Sequence, residues 1–161
     1  MAKDKTPVTA AVRALRAENV PFSDHLYAYE EKGGTAASSR ELGVDEHAVI
    51  KTLVMEDESR NPLIVLMHGD LQVSTKELAR VMGVKHISPC TAEAAQKQSG
   101  YQVGGTSPFG TRFPMPVYME GSIASLSKIY INGGKRGYLV GMAPAGLIRV
   151  LKPHLVTVGI R

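Results

Sequence analysis

The chain has 161 residues, 43% of them hydrophobic and 21% charged, with a net charge of +4 and a pI near 9.2. That length and balance predict one soluble domain over 1–161 with a real core, and exclude a disordered or collagen-like chain. A single cysteine, Cys90, excludes an internal disulfide and fits a reducing compartment. The longest tight apolar run is Leu63–Met67, far below the roughly 20 residues of a membrane span. No apolar stretch follows the polar start Met1–Lys5. The expected location is therefore cytoplasmic, with no membrane partner. The mild positive excess favours a polyanionic partner without establishing one.

In chain order, Thr6-Pro7 marks a helix start, and Val8, Ala11, Val12 and Leu15 share one helical face. Phe22–Tyr29 reads as a strand, and Thr35–Leu42 as a short helix stopped by Gly43. Asp45 is placed to cap a further brief turn. Val49–Met55 and Leu63–Met67 are rich in branched residues and flank a polar turn, the pattern of a hairpin. Ser74-Thr75-Lys76-Glu77 matches a capping box ahead of a helix that Gly83 ends. A brief strand at His86–Ser88 and a helix over Thr91–Ser99 follow. Tyr101–Pro116 is a long irregular connection, a kind of segment that often carries function. Val117–Met119, Ile129–Asn132 and Tyr138–Met142 read as strands, Pro144–Leu151 as a helix and Leu155–Val158 as a closing strand. The mixed order predicts an α+β fold, with a curled, mixed, mostly antiparallel sheet, barrel-like and flanked by helices.

Three stretches carry the chemistry. In Val49–Val54, alternation puts Lys51 on one face with Val49, Leu53 and Met55, and Thr52 on the other with Ile50 and Val54. Lys51 is either a rim residue whose ammonium reaches water or a cation partly buried for a purpose. In Gly104-Gly105-Thr106-Ser107-Pro108-Phe109-Gly110, paired glycines let backbone N–H groups approach a ligand, and Thr106 and Ser107 add hydroxyls. The bland alternative is a tight turn. Asn132-Gly133-Gly134-Lys135-Arg136-Gly137 has the composition of a hairpin turn, with Lys135 and Arg136 either solvated or meeting phosphate. The five histidines lack metal-ligand spacing, so no metal or cofactor is assigned. His68-Gly69-Asp70 sits at a strand end, where a loop role is the simpler reading. Cys90 reads as a small buried hydrophobe without a base to activate it.

Together the three stretches resemble the YbaK/EbsC family of aminoacyl-tRNA deacylases, relatives of the editing domain in bacterial prolyl-tRNA synthetases. Val49-Ile50-Lys51-Thr52-Leu53, Gly100–Gly110 and Tyr130–Gly137 follow the family's order and spacing. The resemblance implies hydrolytic editing of mischarged tRNA, most often Cys-tRNA(Pro), with prolyl-tRNA synthetase as a partner. It implies that Lys51 is the functional lysine, that Gly104–Gly110 line the pocket, and that Tyr27 and Thr52 are pocket residues. It also implies that the substrate thiol serves as nucleophile, while Gly104 and Gly105 offer N–H groups to the oxyanion. The family's cysteine-specific members carry serine where this chain has Asn132 and aspartate where it has Leu139, and a pocket aromatic near Gly34 is missing. Removal of another small amino acid, as from Ala-tRNA(Pro), and a noncatalytic tRNA- or synthetase-binding module are the alternatives.

Overall fold

The structure, a computed structural model, describes residues 6–161, so the Met1–Lys5 start lies outside the described residues. The elements run α1 (Ala10–Ala17), β1 (Ser23–Leu26), α2 (Gly34–Leu42), a 3-10 turn (Glu46–Ala48), β2 (Val49–Asp57), β3 (Pro62–His68), β4 (Gln72–Val73), α3 (Thr75–Met82), β5 (Ile87–Pro89) and α4 (Ala92–Ser99). They continue with β6 (Val117–Glu120), a second 3-10 turn (Gly121–Ser125), β7 (Ile129–Lys135), β8 (Tyr138–Met142), α5 (Pro144–Leu151), β9 (His154–Val156) and β10 (Gly159–Ile160).

The fold is α+β. Seven strands lie in the order β1-β8-β7-β2-β3-β6-β9, and β5 is added to β2 as the eighth. The pairings β1–β8, β7–β8, β2–β3 and β2–β5 are antiparallel, whereas β2–β7, β3–β6 and β6–β9 are parallel. The sheet stays open, since β1 and β9 end it without meeting.

The centre of this sheet is buried on both faces. Ile64 and Leu66 of β3 join Ile50, Ile131, Val140 and the α1 residues Val12 and Leu15 in one core. Leu63, Val65 and Met67 point the other way, into a second core with Met55, Leu78 of α3 and Ile87. This is the period-two alternation of β3 with apolar residues on both faces, as an internal strand requires.

Local chemistry sets the element ends. Helix α1 begins at Ala10 rather than at Thr6-Pro7, because the Thr9 hydroxyl accepts the Val12 N–H at 3.0 Å. The same hydroxyl donates to the Gly133 carbonyl, which ties α1 to β7. Half of the expected capping box forms: Ser74 accepts the Glu77 N–H, while Glu77 pairs with Arg80 and the Ser74 N–H goes to Val158. Strand β1 is shorter than the expected Phe22–Tyr29. Its partner β8 begins at Tyr138, and only one further bond, Tyr27 N–H to Gly137 O at 3.0 Å, extends the ladder.

The expected hairpin turn over 132–137 is also narrower. Strand β7 runs on to Lys135 through a bulge between Asn132 and Lys135, so the turn itself is Arg136-Gly137. Gly133 and Gly134 are strand residues, and a Cβ at Gly133 would lie 2.4 Å from the Tyr138 ring. Gly110 is a packing glycine of the same kind. Its φ is +62° and a Cβ there would fall 2.6 Å from the Ala10 carbonyl oxygen. Gly110→Ala therefore meets both a strained backbone and a clash with the start of α1. It should lower unfolding stability by about 1–3 kcal/mol in a denaturant titration.

Candidate functional site

Strand β2 bonds β3 along its whole length, but its other edge is shared. Strand β7 pairs only with Val49 and Ile50, and β5 only with Met55–Asp57. Between them the sheet splits, and the edge at Lys51–Leu53 has no strand beside it. Ladder geometry alternates along an antiparallel strand. The Val54 carbonyl points toward β5 and accepts the Cys90 N–H at 3.1 Å, while Val49 and Asp57 bond on the β3 side. By the same alternation, the N–H and C=O of Thr52 point into the split.

A cavity of about 710 Å³ occupies this split. Its floor is β2 from Val49 to Met55, and both faces of the strand reach it because no neighbour covers the edge. One wall is the Tyr27–Lys32 loop with Thr35, Ala37 and Ser38 of α2. The opposite wall is Pro89, Cys90 and the alanines of α4, and the end is closed by Val103, Gly104, Thr106, Asn132, Arg136 and Leu139.

Lys51 is half-buried in this wall. Burial pushes its ammonium below the ordinary lysine range, and the charges of Glu46 and Asp70 oppose that shift. None of the ion pairs within 4.0 Å among the described residues includes Lys51. The cation thus faces the cavity with its charge unclaimed. The Thr52 hydroxyl is buried and has no hydrogen-bond partner among the described residues, a state that costs roughly 1–3 kcal/mol unless a ligand supplies one. Burial also pushes the Tyr27 hydroxyl up, so it remains protonated and able to donate.

Tyr27, Lys51, Thr52, Gly104, Thr106 and Asn132 therefore share one cavity. Arg136 also lines it, and the other residues of the two glycine segments lie behind it. Gly105 packs against the backbone of Lys135 and Arg136, where a Cβ would sit 2.8 Å from the Arg136 nitrogen. Its N–H is committed to the Gln102 carbonyl at 2.8 Å, whereas no hydrogen bond among the described residues takes the Gly104 N–H. Ser107 is fully buried, and its hydroxyl accepts the Phe109 N–H. Pro108 is buried, and Phe109 belongs to the first core. Gly110 packs on α1, Gly133 on Tyr138 and Gly134 on Tyr101 and Thr9, while the Lys135 side chain is exposed and off the cavity wall. These residues anchor the loop that presents Gly104.

Asn132 is a staple. Its Nδ2 donates to the Gly104 and Lys135 carbonyls at 3.2 and 3.3 Å, and its Oδ1 accepts the Gly134 and Lys135 N–H groups. The amide is therefore spent on holding the bulge to the glycine loop. Beside it, Leu139 gives the cavity an apolar end.

Other wall residues were not singled out by sequence as site residues. Tyr29 carries the Arg136 guanidinium 5.1 Å from its ring centre, and the Arg136 Nε donates to the Val103 carbonyl at 2.7 Å. This closes one rim of the cavity with a cation and an aromatic ring. The signal was present in the Tyr27/Tyr29 alternation and in the Lys135-Arg136 turn, but only the fold joins them. Cys90 lines the cavity as a thiol. Burial and the nearby Glu56 carboxylate push its pKa up to about 11, which leaves no thiolate nucleophile at neutral pH.

His47, His68 and Asp70 bring ligand-type atoms within 4.8 Å of one another behind Lys51. The two imidazoles are stacked 3.7 Å apart and 5° from parallel, so an ion between them would lie out of both ring planes. His68 is fully buried. Its Nδ1 donates to the His47 carbonyl, and its Nε2 bonds the Ser122 hydroxyl. His47 Nδ1 donates to Asp70 at 2.9 Å. The arrangement is a hydrogen-bonded support for the turn after β3 and a poor metal cage.

Comparison with known proteins gives this geometry a family. Residues 30–150 match the model of the aminoacyl-tRNA editing domain. The chain is 30% identical over 150 residues to EbsC of Enterococcus faecalis, described as a candidate Cys-tRNA(Pro)/Cys-tRNA(Cys) deacylase, and the alignment covers 92% of each protein. Half of the chain is 35% identical to a proline–tRNA ligase of Thermodesulfovibrio yellowstonii, of which the match takes up 14%. In fold it superposes on the crystal structure of a candidate trans-editing enzyme for prolyl tRNA synthetase with a TM-score of 0.82 and 18% identity, covering 97% of this chain and all of that one. The chain whose split sheet frames this lysine-bearing cavity thus belongs to the aminoacyl-tRNA editing domain family.

Proposed function

We propose that this protein is a trans-editing deacylase that cleaves the aminoacyl ester of mischarged tRNA, Cys-tRNA(Pro) foremost, in the cytoplasm. The observation that carries the reading is the half-buried Lys51 ammonium, facing a cavity beside Thr52 and Gly104 with no carboxylate among the described residues paired to it. Attack on an ester carbonyl builds negative charge on its oxygen. A preorganised cation and a backbone N–H stabilise that charge better than water does. Lys51 and the Gly104 N–H supply these, with Gly105 holding the turn that aims Gly104. Tyr27, Thr52 and Thr106 then bond the polar atoms of the acyl group and the ribose. The stack of Arg136 on Tyr29 at the rim, with Lys135 at the adjoining end of β7, suits the adenosine and phosphate of a tRNA 3′ end.

The protein supplies no evident nucleophile, since the cavity's one thiol is held protonated. The substrate thiol fills that role. Its sulfur attacks the carbonyl carbon, the carbon–oxygen bond to the ribose breaks, and the ribose hydroxyl leaves with the proton. The product is a cysteine thiolactone. Positioning of the two groups within one acyl chain provides much of the rate. Prolyl-tRNA synthetase is the proposed partner that delivers tRNA(Pro), supported by the likeness to a segment of proline–tRNA ligases. Free tRNA should bind weakly and lose affinity as salt rises.

A second reading, water-driven hydrolysis of a small apolar ester such as Ala-tRNA(Pro), is favoured by Leu139 and by an Asn132 whose amide is already consumed. Release of amino acid from Cys-tRNA(Pro) and Ala-tRNA(Pro) separates the two. Cleavage of the cysteine ester, lowered about 100-fold or more in Lys51→Ala, is expected. Cleavage of the alanine ester alone selects the second reading. Cleavage of neither, with tRNA still bound, makes this a binding module.

Lys51 also sets a pH dependence. Its pKa is lowered, so the cation is lost at a lower pH than for an exposed lysine. Affinity for an amide-linked aminoacyl-adenosine should fall as pH rises through that lowered pKa. The profile should be flat in Lys51→Met, as read by calorimetry at constant ionic strength.

A further inference from the structure

Two carboxylates stand in the field of Lys51, and both are bound elsewhere. Glu46 Oε2 accepts the Thr35 hydroxyl at 2.7 Å, and Asp70 accepts His47 Nδ1 at 2.9 and 3.1 Å. Thr35 sits in the first turn of α2 on the cavity wall, and Glu46 lies in the 3-10 turn just before β2. A half-buried ammonium in the field of carboxylates is stabilised by pairing with one of them, yet among the described residues Lys51 has none within 4.0 Å.

We propose that Thr35 is a positioning residue that holds the Glu46 carboxylate away from Lys51 and so keeps the ammonium free for the substrate. The inference rests on the deacylase reading only for what the freed cation then does. The hydroxyl is specific for this task. Its one proton goes to Glu46 at 2.7 Å, and the Gly69 carbonyl 3.1 Å away is a second acceptor in its reach, which places the tether against the turn that follows β3. Only glycine fits at position 69 beside it, since a Cβ there would lie 2.7 Å from Thr35 Oγ1. Valine would fill the same volume without the bond and would leave Glu46 free to turn toward the nearest cation. His47 restrains Asp70 in the same manner, and His68, stacked on His47, completes the set of titratable groups on this side of the lysine.

The test measures the titration of the Lys51 side chain by NMR with labelled lysine, assigned through its loss in Lys51→Arg, alongside deacylation. In Thr35→Val the Lys51 pKa should rise by about 1 pH unit as Glu46 pairs with it. Deacylation should fall about tenfold or more at that pairing energy. Thr35→Ser should keep both wild-type values. Thr35→Val/Glu46→Gln should bring the pKa back down and restore deacylation, because the competing carboxylate is gone. Glu46→Gln alone should lower the Lys51 pKa, which checks the electrostatic link without disturbing Thr35. An unchanged Lys51 titration in Thr35→Val overturns the proposal, as does a loss of activity that Glu46→Gln fails to rescue, which would assign the effect to the Gly69 contact. If the wild type cleaves no acyl-tRNA but the titration moves and returns as stated, the tether stands and the deacylase reading falls.

Discussion

The incomplete pairing of one strand underlies this molecule's site. Strand β2 is bonded throughout to β3, which fixes its register and buries its apolar residues in two cores. Its second edge is claimed at one end by β7 and at the other by β5. Lys51–Leu53 between them have no strand beside them on that edge. An unpaired edge in a sheet interior exposes polar backbone that must find another partner. Here the cavity lies along that edge, and Lys51 and Thr52 stand on it. The rigid part of the fold thus presents the reactive part, which suits a site that must hold atoms to within a fraction of an ångström.

Charge and burial oppose each other at Lys51. A cation in a largely apolar wall loses hydration, and the fold could recover the cost by pairing it with Glu46 or Asp70. Such a pair would stabilise the free protein while occupying the cation that the proposed reaction uses. The structure keeps the carboxylates near enough to favour the charged lysine, and it binds them to Thr35 and His47 instead. The Thr52 hydroxyl is left unsatisfied beside it. Stability not recovered in the free protein is available for binding.

Much of this was legible in the sequence, and the limits have physical causes. The β2–β3 hairpin follows from branched residues around a polar turn. The helix stops at Gly43, Gly83 and Gly100 follow from the left-handed conformation that each adopts. Lys51 stood out because a charge inside an apolar strand is rare. Less was legible in the glycine segments, because glycine serves close packing and ligand approach alike. Gly104 faces the cavity, while Gly105, Gly110, Gly133 and Gly134 make room for neighbouring backbone or rings. The hairpin turn was drawn too wide for the same reason: glycines at 133–134 read as a turn, yet they belong to a bulged strand lying under aromatic rings. The Tyr29–Arg136 stack and the Thr35–Glu46 tether join residues 107 and 11 positions apart across different elements, and no local pattern announces such contacts.

The most direct test is a crystal structure with an amide-linked cysteinyl-adenosine, which cannot be cleaved. The account predicts the acyl group in the split between β5 and β7, its carbonyl oxygen within hydrogen-bond distance of Lys51 Nζ or the Gly104 N–H, and a polar atom on the Thr52 hydroxyl. A ligand bound elsewhere on the protein, with the split unoccupied and Lys51 untouched, would contradict it.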